Sequence, residues 1–131
     1  MKMYRIFTFM LVMIAALAFF GCQSQELTSG KVYVQQQDYA KAEYNFLKAL
    51  DVEPENPEVP YLLAVEIYGN NNSGLTDYTS AKEYLDMALE RDPDYLPENV
   101  KIFKEQLYGY TFNAAVKQLQ QGHQERIGKP G

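Results

Sequence analysis

Asp38-Tyr39-Ala40-Lys41-Ala42, followed by Phe46, Ala49-Leu50 and Pro54, is matched 39 residues later by Asp77-Tyr78-Thr79-Ser80-Ala81, then Leu85, Ala88-Leu89 and Pro93. Six of the 17 aligned positions are identical (Asp, Tyr, Ala, Ala, Leu, Pro), and Phe46/Leu85 is a large apolar match. In each copy the small and apolar residues stand at +3, +7, +10 and +11 from the tyrosine, which places them on one face of a helix. The Asp just before is an N-cap residue, its carboxylate able to accept from the free N–H groups of the first turn. Proline, which has no N–H and cannot continue a helix, closes the stretch. Two like-built amphipathic helices in tandem predict an all-α repeat protein whose units bury their faces on one another.

Working outward, Leu27, Gly30, Tyr33 and Val34 fall at helical spacing between Ser24 and Gln37. Gly30 inside a helix costs about 1 kcal/mol against Ala, which is tolerated where a neighbouring helix must come close. Gln37-Asp38 makes the turn, and the second helix runs to about Val52, with Ala42 and Ala49 as flat places for the first helix to lie on. Gly30, Tyr33, Tyr39, Ala42, Phe46, Ala49 and Pro54 thus stand at the spacings of the tetratricopeptide repeat, a helix–turn–helix unit of about 34 residues. The segment resembles that family. Glu26 and Ser29 depart from it, standing where the family often has Trp and Leu. The resemblance implies tandem hairpins stacked in a short right-handed α-solenoid.

Downstream, Asn56 to Pro60 reads as the inter-repeat turn, with Pro57 and Pro60 pinning the next helix start. Tyr61 to Tyr68 is the first helix of the second unit, and Gly69-Asn70-Asn71-Asn72-Ser73-Gly74 is a loop by composition. Ile67 to Tyr78 spans 11 residues where Tyr33 to Tyr39 spans six, so five inserted residues account for the period of 39. A tolerated surface insertion is the plainer reading of that loop, and a binding loop the other. Val100, Phe103, Leu107, Tyr110 and Ala114 step by three and four and predict one long helix over about 98–121. Its part from Asn113 to Gly122 looks like the first helix of a further unit. The units are then 22–56, 57–95 and the partial 96–122, after a leader of 1–21. Residues 123–131 hold one apolar residue, Ile127, and predict a disordered tail, or else a stretch of a longer array.

The leader has Lys2 and Arg5, then no charge from Ile6 to Phe20. Fifteen residues is short of the ~20 needed to cross a bilayer as a helix, and suits a secretory signal peptide. Phe19-Phe20-Gly21-Cys22 resembles the lipobox of bacterial lipoproteins, which implies acylation of Cys22, although Phe20 is bulkier than the pattern favours. Cys22 is the only cysteine, so no disulfide forms within the chain. Gln23 after it implies outer-membrane sorting, facing the periplasm. Removal of 1–21 takes Lys2 and Arg5 from the 12 basic side chains and nothing from the 17 acidic, leaving 10 against 17 and a net charge of −7. That balance disfavours nucleic acid as a partner.

No catalytic constellation is visible. The one histidine, His123, stands in a polar stretch, and Asp51, Glu53, Glu55 and Glu58 lack calcium-loop spacing. No phosphate loop, metal set or cofactor motif is present, so no enzyme is predicted. The resemblance implies instead that the first helix of each hairpin lines a concave groove. Leu27, Lys31, Val34 and Gln35 would face it from the first unit, and Tyr61, Val65 and Tyr68 from the second. The expected function is a membrane-anchored protein-interaction scaffold of the bacterial envelope, holding a segment of a protein partner. The alternative is an accessory glycan- or peptidoglycan-binding subunit working through the tyrosines.

Overall fold

The computed structural model describes residues 1–18 and 23–128, those of 13–18 by backbone alone. The acylation expected at Cys22 falls outside the described residues. Helices α1 (Lys2–Ala18), α2 (Gln25–Gln35), α3 (Tyr39–Val52), α4 (Glu58–Leu62), α5 (Tyr78–Arg91) and α6 (Pro97–Ile127) make an all-helical chain with no strand among the described residues. A π-helical segment, Leu63–Tyr68, carries α4 onward without a break, so that the two serve as one first helix of the second hairpin. The architecture is that of tetratricopeptide-like hairpins, α2–α3 and α4–α5, followed by a long helix packed on α5.

Local chemistry explains the boundaries. Ser24 Oγ accepts from the Leu27 N–H, Asp38 from the Lys41 N–H, and Asp77 from the N–H groups of Thr79 and Ser80, so each of these helices has a side-chain cap. At the end of α2 the Asp38 N–H reaches the Tyr33 carbonyl and the Gln37 N–H the Val34 carbonyl. This is a Schellman turn, and Gln37 occupies its left-handed position at φ 60°. Glycine is the usual residue there, because a Cβ is strained in that conformation.

The core is built across the hairpins. One buried cluster joins Leu27 of α2 and Ala42, Phe46 and Ala49 of α3 to Val59, Leu63 and Ile67. The other joins Ala64 to Ala81 and Leu85 of α5 and to Val100, Phe103 and Leu107 of α6. The helix 58–68 therefore has two buried faces, one toward each neighbour. Phe46 is fully buried, and such a side chain contributes about 1.5–3 kcal/mol by leaving water. A Cβ placed on Gly30 would run into the Phe46 ring, which is why this helix interior holds a glycine.

The structure adds one feature and corrects one expectation. The π-helical turn over Leu63–Tyr68 was not foreseen; it is closed by the Gly69 N–H on the Ala64 carbonyl, five residues back. Ser73 Oγ then donates to the Ile67 carbonyl at 2.7 Å, and Thr76 Oγ1 to the Asn70 carbonyl at 2.8 Å, so the inserted loop is fastened to that helix end. The tail expected from 123 is helical to Ile127. Gln124, Glu125 and Arg126 are good helix formers, and the single Gly122 is too weak a breaker to stop the run.

Two substitutions test this packing. Gly30→Ala should destabilise the chain by about 1–3 kcal/mol through overpacking against Phe46, although Ala is the better helix former. Gln37→Gly should stabilise it by about 1 kcal/mol by relieving the left-handed residue. Chemical denaturation followed by circular dichroism reads both, and an unchanged midpoint for Gly30→Ala would contradict the close approach.

Candidate protein-interaction face

The first helices of the two hairpins carry the residues expected to meet a partner. Leu27 is the clear correction: it is fully buried in the cluster with Phe46 and Val59, and packs instead of facing a groove. Lys31 is partly exposed, but its Nζ sits 2.5 Å from Glu58 Oε1 and also donates to Gln23 Oε1 at 3.2 Å. Val34 is half-buried against the first cluster, and Gln35 is exposed. Val65 is half-buried against the second cluster.

The two tyrosines are held by neighbours on either side. Tyr61 meets Tyr95 edge to face with ring centroids 5.4 Å apart. Tyr68 reaches back to α3, its hydroxyl donating to Glu43 Oε1 at 2.6 Å, and stacks on Tyr84 of α5 at 5.4 Å with the rings 6° from parallel. Burial, the hydrogen bond to Glu43 and that group's negative charge together push the Tyr68 hydroxyl well above the ordinary phenol range. Burial, with Glu58 nearby, lifts Tyr95 to about 12. Tyr68 and Tyr95 thus remain neutral across the physiological range and act as packing groups, Tyr68 also as a hydrogen-bond donor.

Behind this face lies a polar knot at the turn between the hairpins, which sequence reading missed. Glu53 accepts from the Ser24 N–H and from the Asn56 amide, each at 2.6 Å. Burial alone would lift its carboxyl, but those hydrogen bonds outweigh it and hold the group below its ordinary value. Arg91 closes the knot from α5, donating through Nη1 to the Asn56 carbonyl at 2.8 Å. Gln23 Nε2 donates to Glu58 Oε2 at 3.0 Å. Within the cluster of acidic residues around the prolines, Glu53 and Glu58 are thus structural fasteners.

A cavity of about 230 Å³ lies elsewhere, between α5 and α6, lined by Tyr78, Lys82, Leu85, Lys104, Leu107 and Tyr108. Among the described residues no group of three or more His, Cys, Asp or Glu converges to hold a metal ion.

The tyrosine bridge has a pH signature. A hydroxyl whose folded pKa lies above the unfolded value of 10.0 keeps its proton in the folded chain after the unfolded chain has lost it. Its stabilisation is complete below pH 10.0 and is lost as the pH rises beyond that value. Tyr68→Phe should cost about 0.5–1.5 kcal/mol at neutral pH through the lost bond to Glu43. It should also flatten the fall of stability above pH 10. Denaturation midpoints from pH 7 to pH 11 check this, and parallel curves for the two proteins would contradict it.

Residues 27–56 match the tetratricopeptide repeat, a span that covers nearly all of the α2–α3 hairpin and ends at the turn after it. Neither a curated protein nor a solved structure matches the chain. Residues 27–56 carry a tetratricopeptide repeat, and the described residues around them are helical, in keeping with a tetratricopeptide-like repeat fold; a repeat of this kind suggests protein interaction.

Proposed function

We propose that the chain is a membrane-anchored scaffold of the bacterial cell envelope, on the outer membrane and facing the periplasm, that gathers a protein partner on the face formed by α2 and the helix 58–68. The observation that carries this reading is the tetratricopeptide repeat at 27–56, extended by a second hairpin that shares its core. Gln35, with the exposed edges of Lys31, Val34, Val65 and Tyr68, offers a mixed polar and apolar strip suited to an extended or helical segment of another protein. Lys31 is neutralised by Glu58, so the excess acid of the chain favours a neutral or basic segment.

Anchoring is supported by the leader. Tyr4, Phe7, Met10 and Leu11 of α1 are exposed. Among the described residues no helix is long and apolar enough to cross a membrane. The lipobox-like Phe19-Phe20-Gly21-Cys22 is what favours a lipid on Cys22 as the attachment. Gln23 and Ser24 are tied to Glu58 and Glu53, so an anchor at Cys22 would hold the repeat with almost no slack. Confinement to a surface raises the local concentration of a captured partner without any bond being made or broken. The glycan alternative draws less support, since Tyr61 and Tyr68 each have ring contacts within the chain instead of a free stacking platform.

In cells expressing the chain, a photo-crosslinking amino acid at Gln35 should yield a discrete protein adduct, and one at the exposed Lys48 of α3 should not. Equal labelling from both positions, or adducts only with cell wall, would contradict the partner face. Cys22→Ser should abolish palmitate labelling and release the chain from the membrane fraction; persistent labelling would move the anchor elsewhere.

A further inference from the structure

The second half of α6 leaves the body of the protein. Leu107 is its last buried residue, and Tyr110 keeps one contact by stacking on Tyr78. From Tyr108 to Ile127 every residue except Val116 and Gly122 is exposed. The exposed surface is not polar throughout: Tyr108 is 69 %, Phe112 68 % and Leu119 75 % accessible. Tyr108, Phe112, Ala115, Leu119 and Gly122 follow one another at steps of four, three, four and three, which lines them on a single seam of the helix. Large apolar side chains gathered in this way mark an interaction surface.

We infer that this seam pairs with the same seam of a second copy of the chain, the two α6 helices running antiparallel. The pairing is written in charge and size. With the two-fold axis beside Ala115, Phe112 of each copy meets Leu119 of the other. Tyr108 meets Gly122, beside which there is open space. Ala115, small, sits at the axis and lets the backbones approach. At the ends Glu105 faces Arg126 and Lys104 faces Glu125, each pair occurring twice by symmetry. A parallel pairing would instead set Glu105 against Glu105, Arg126 against Arg126 and Tyr108 against Tyr108, a repulsive and poorly fitting arrangement. The seam from Glu105 to Arg126 is about 30 Å long at the helical rise. Its end also reaches the cavity between α5 and α6, whose lining includes Lys104 and Tyr108. The exposed Ile127 of the second copy comes level with Lys104, at that cavity.

This association does not depend on the partner face or on lipidation, and charge reversal tests it. Sedimentation of the full chain in a mild detergent, at matched density, should show a dimer. Glu105→Arg and Arg126→Glu should each raise the dissociation constant about tenfold by placing like charges together at both ends. The double reversal should return it to near the starting value. Circular dichroism of each variant confirms that these surface changes leave the helices intact. In a Cys22→Ser background, Ala115→Cys should oxidise readily to a disulfide-linked dimer, and Ile102→Cys, exposed on another side of α6, should not. A monomer throughout the concentration range overturns the inference, as does a monomer whose seam is covered by a different protein. A dimer indifferent to the single reversals also overturns it, because association would then run through α1 or another surface. Failure of the double reversal to restore the dimer overturns the antiparallel register.

Discussion

An aromatic ring laid over a glycine is the contact on which the stack of helices depends. At Gly30 the missing side chain lets α2 settle onto the Phe46 ring of α3, and any Cβ would collide with it. The same device recurs one layer on, where a Cβ on Gly69 would strike the Phe103 ring of α6. Gly69 also donates its N–H to the Ala64 carbonyl and so closes the π-helical turn. One residue thus ends a widened helix and receives the next aromatic ring. Close-packed interiors tolerate little volume change, so these two contacts fix how near successive helices can come.

The helix 58–68 is the shared wall that results. Leu63 and Ile67 face back into the first cluster, and Ala64 faces forward into the second. Tyr68 spans the same wall in both directions, to Glu43 and to Tyr84. Around the turn before it, Glu53, Asn56 and Arg91 join the start of α2, the turn and the end of α5 by hydrogen bonds.

The periodic positions were legible in the sequence because a helix face follows from spacing alone. Ala42, Phe46, Ala49, Ala81, Leu85 and Ala88 are all buried, and Asp38 and Asp77 both cap. Gly30 was readable as a close approach for the same reason. What pairs with what across the stack was not legible. Leu27 sits at a position that faces outward by analogy, but it is buried in a cluster that draws on Val59, Leu63 and Ile67 of the next hairpin as well as on α3, and only the stacked helices assemble that cluster. The Arg91 bond to the Asn56 carbonyl spans 35 residues and leaves no local pattern. The π-helical turn depends on which carbonyl a single N–H selects, and no apolar period records that choice. Polar composition alone does not mark where α6 ends, because glutamine, glutamate and arginine favour a helix when no breaker intervenes, and the helix runs on to Ile127.

The most direct test of the central contact is the proton magnetic resonance of Gly30. With the Phe46 ring lying against it, the α-protons of Gly30 should be displaced strongly by the ring current and should show nuclear Overhauser contacts to the ring protons of Phe46. Gly109, beside which there is open space, should show neither effect and serves as the internal reference. Shifts for Gly30 no different from those of Gly109, with no contact to Phe46, would contradict the account of how the hairpins pack.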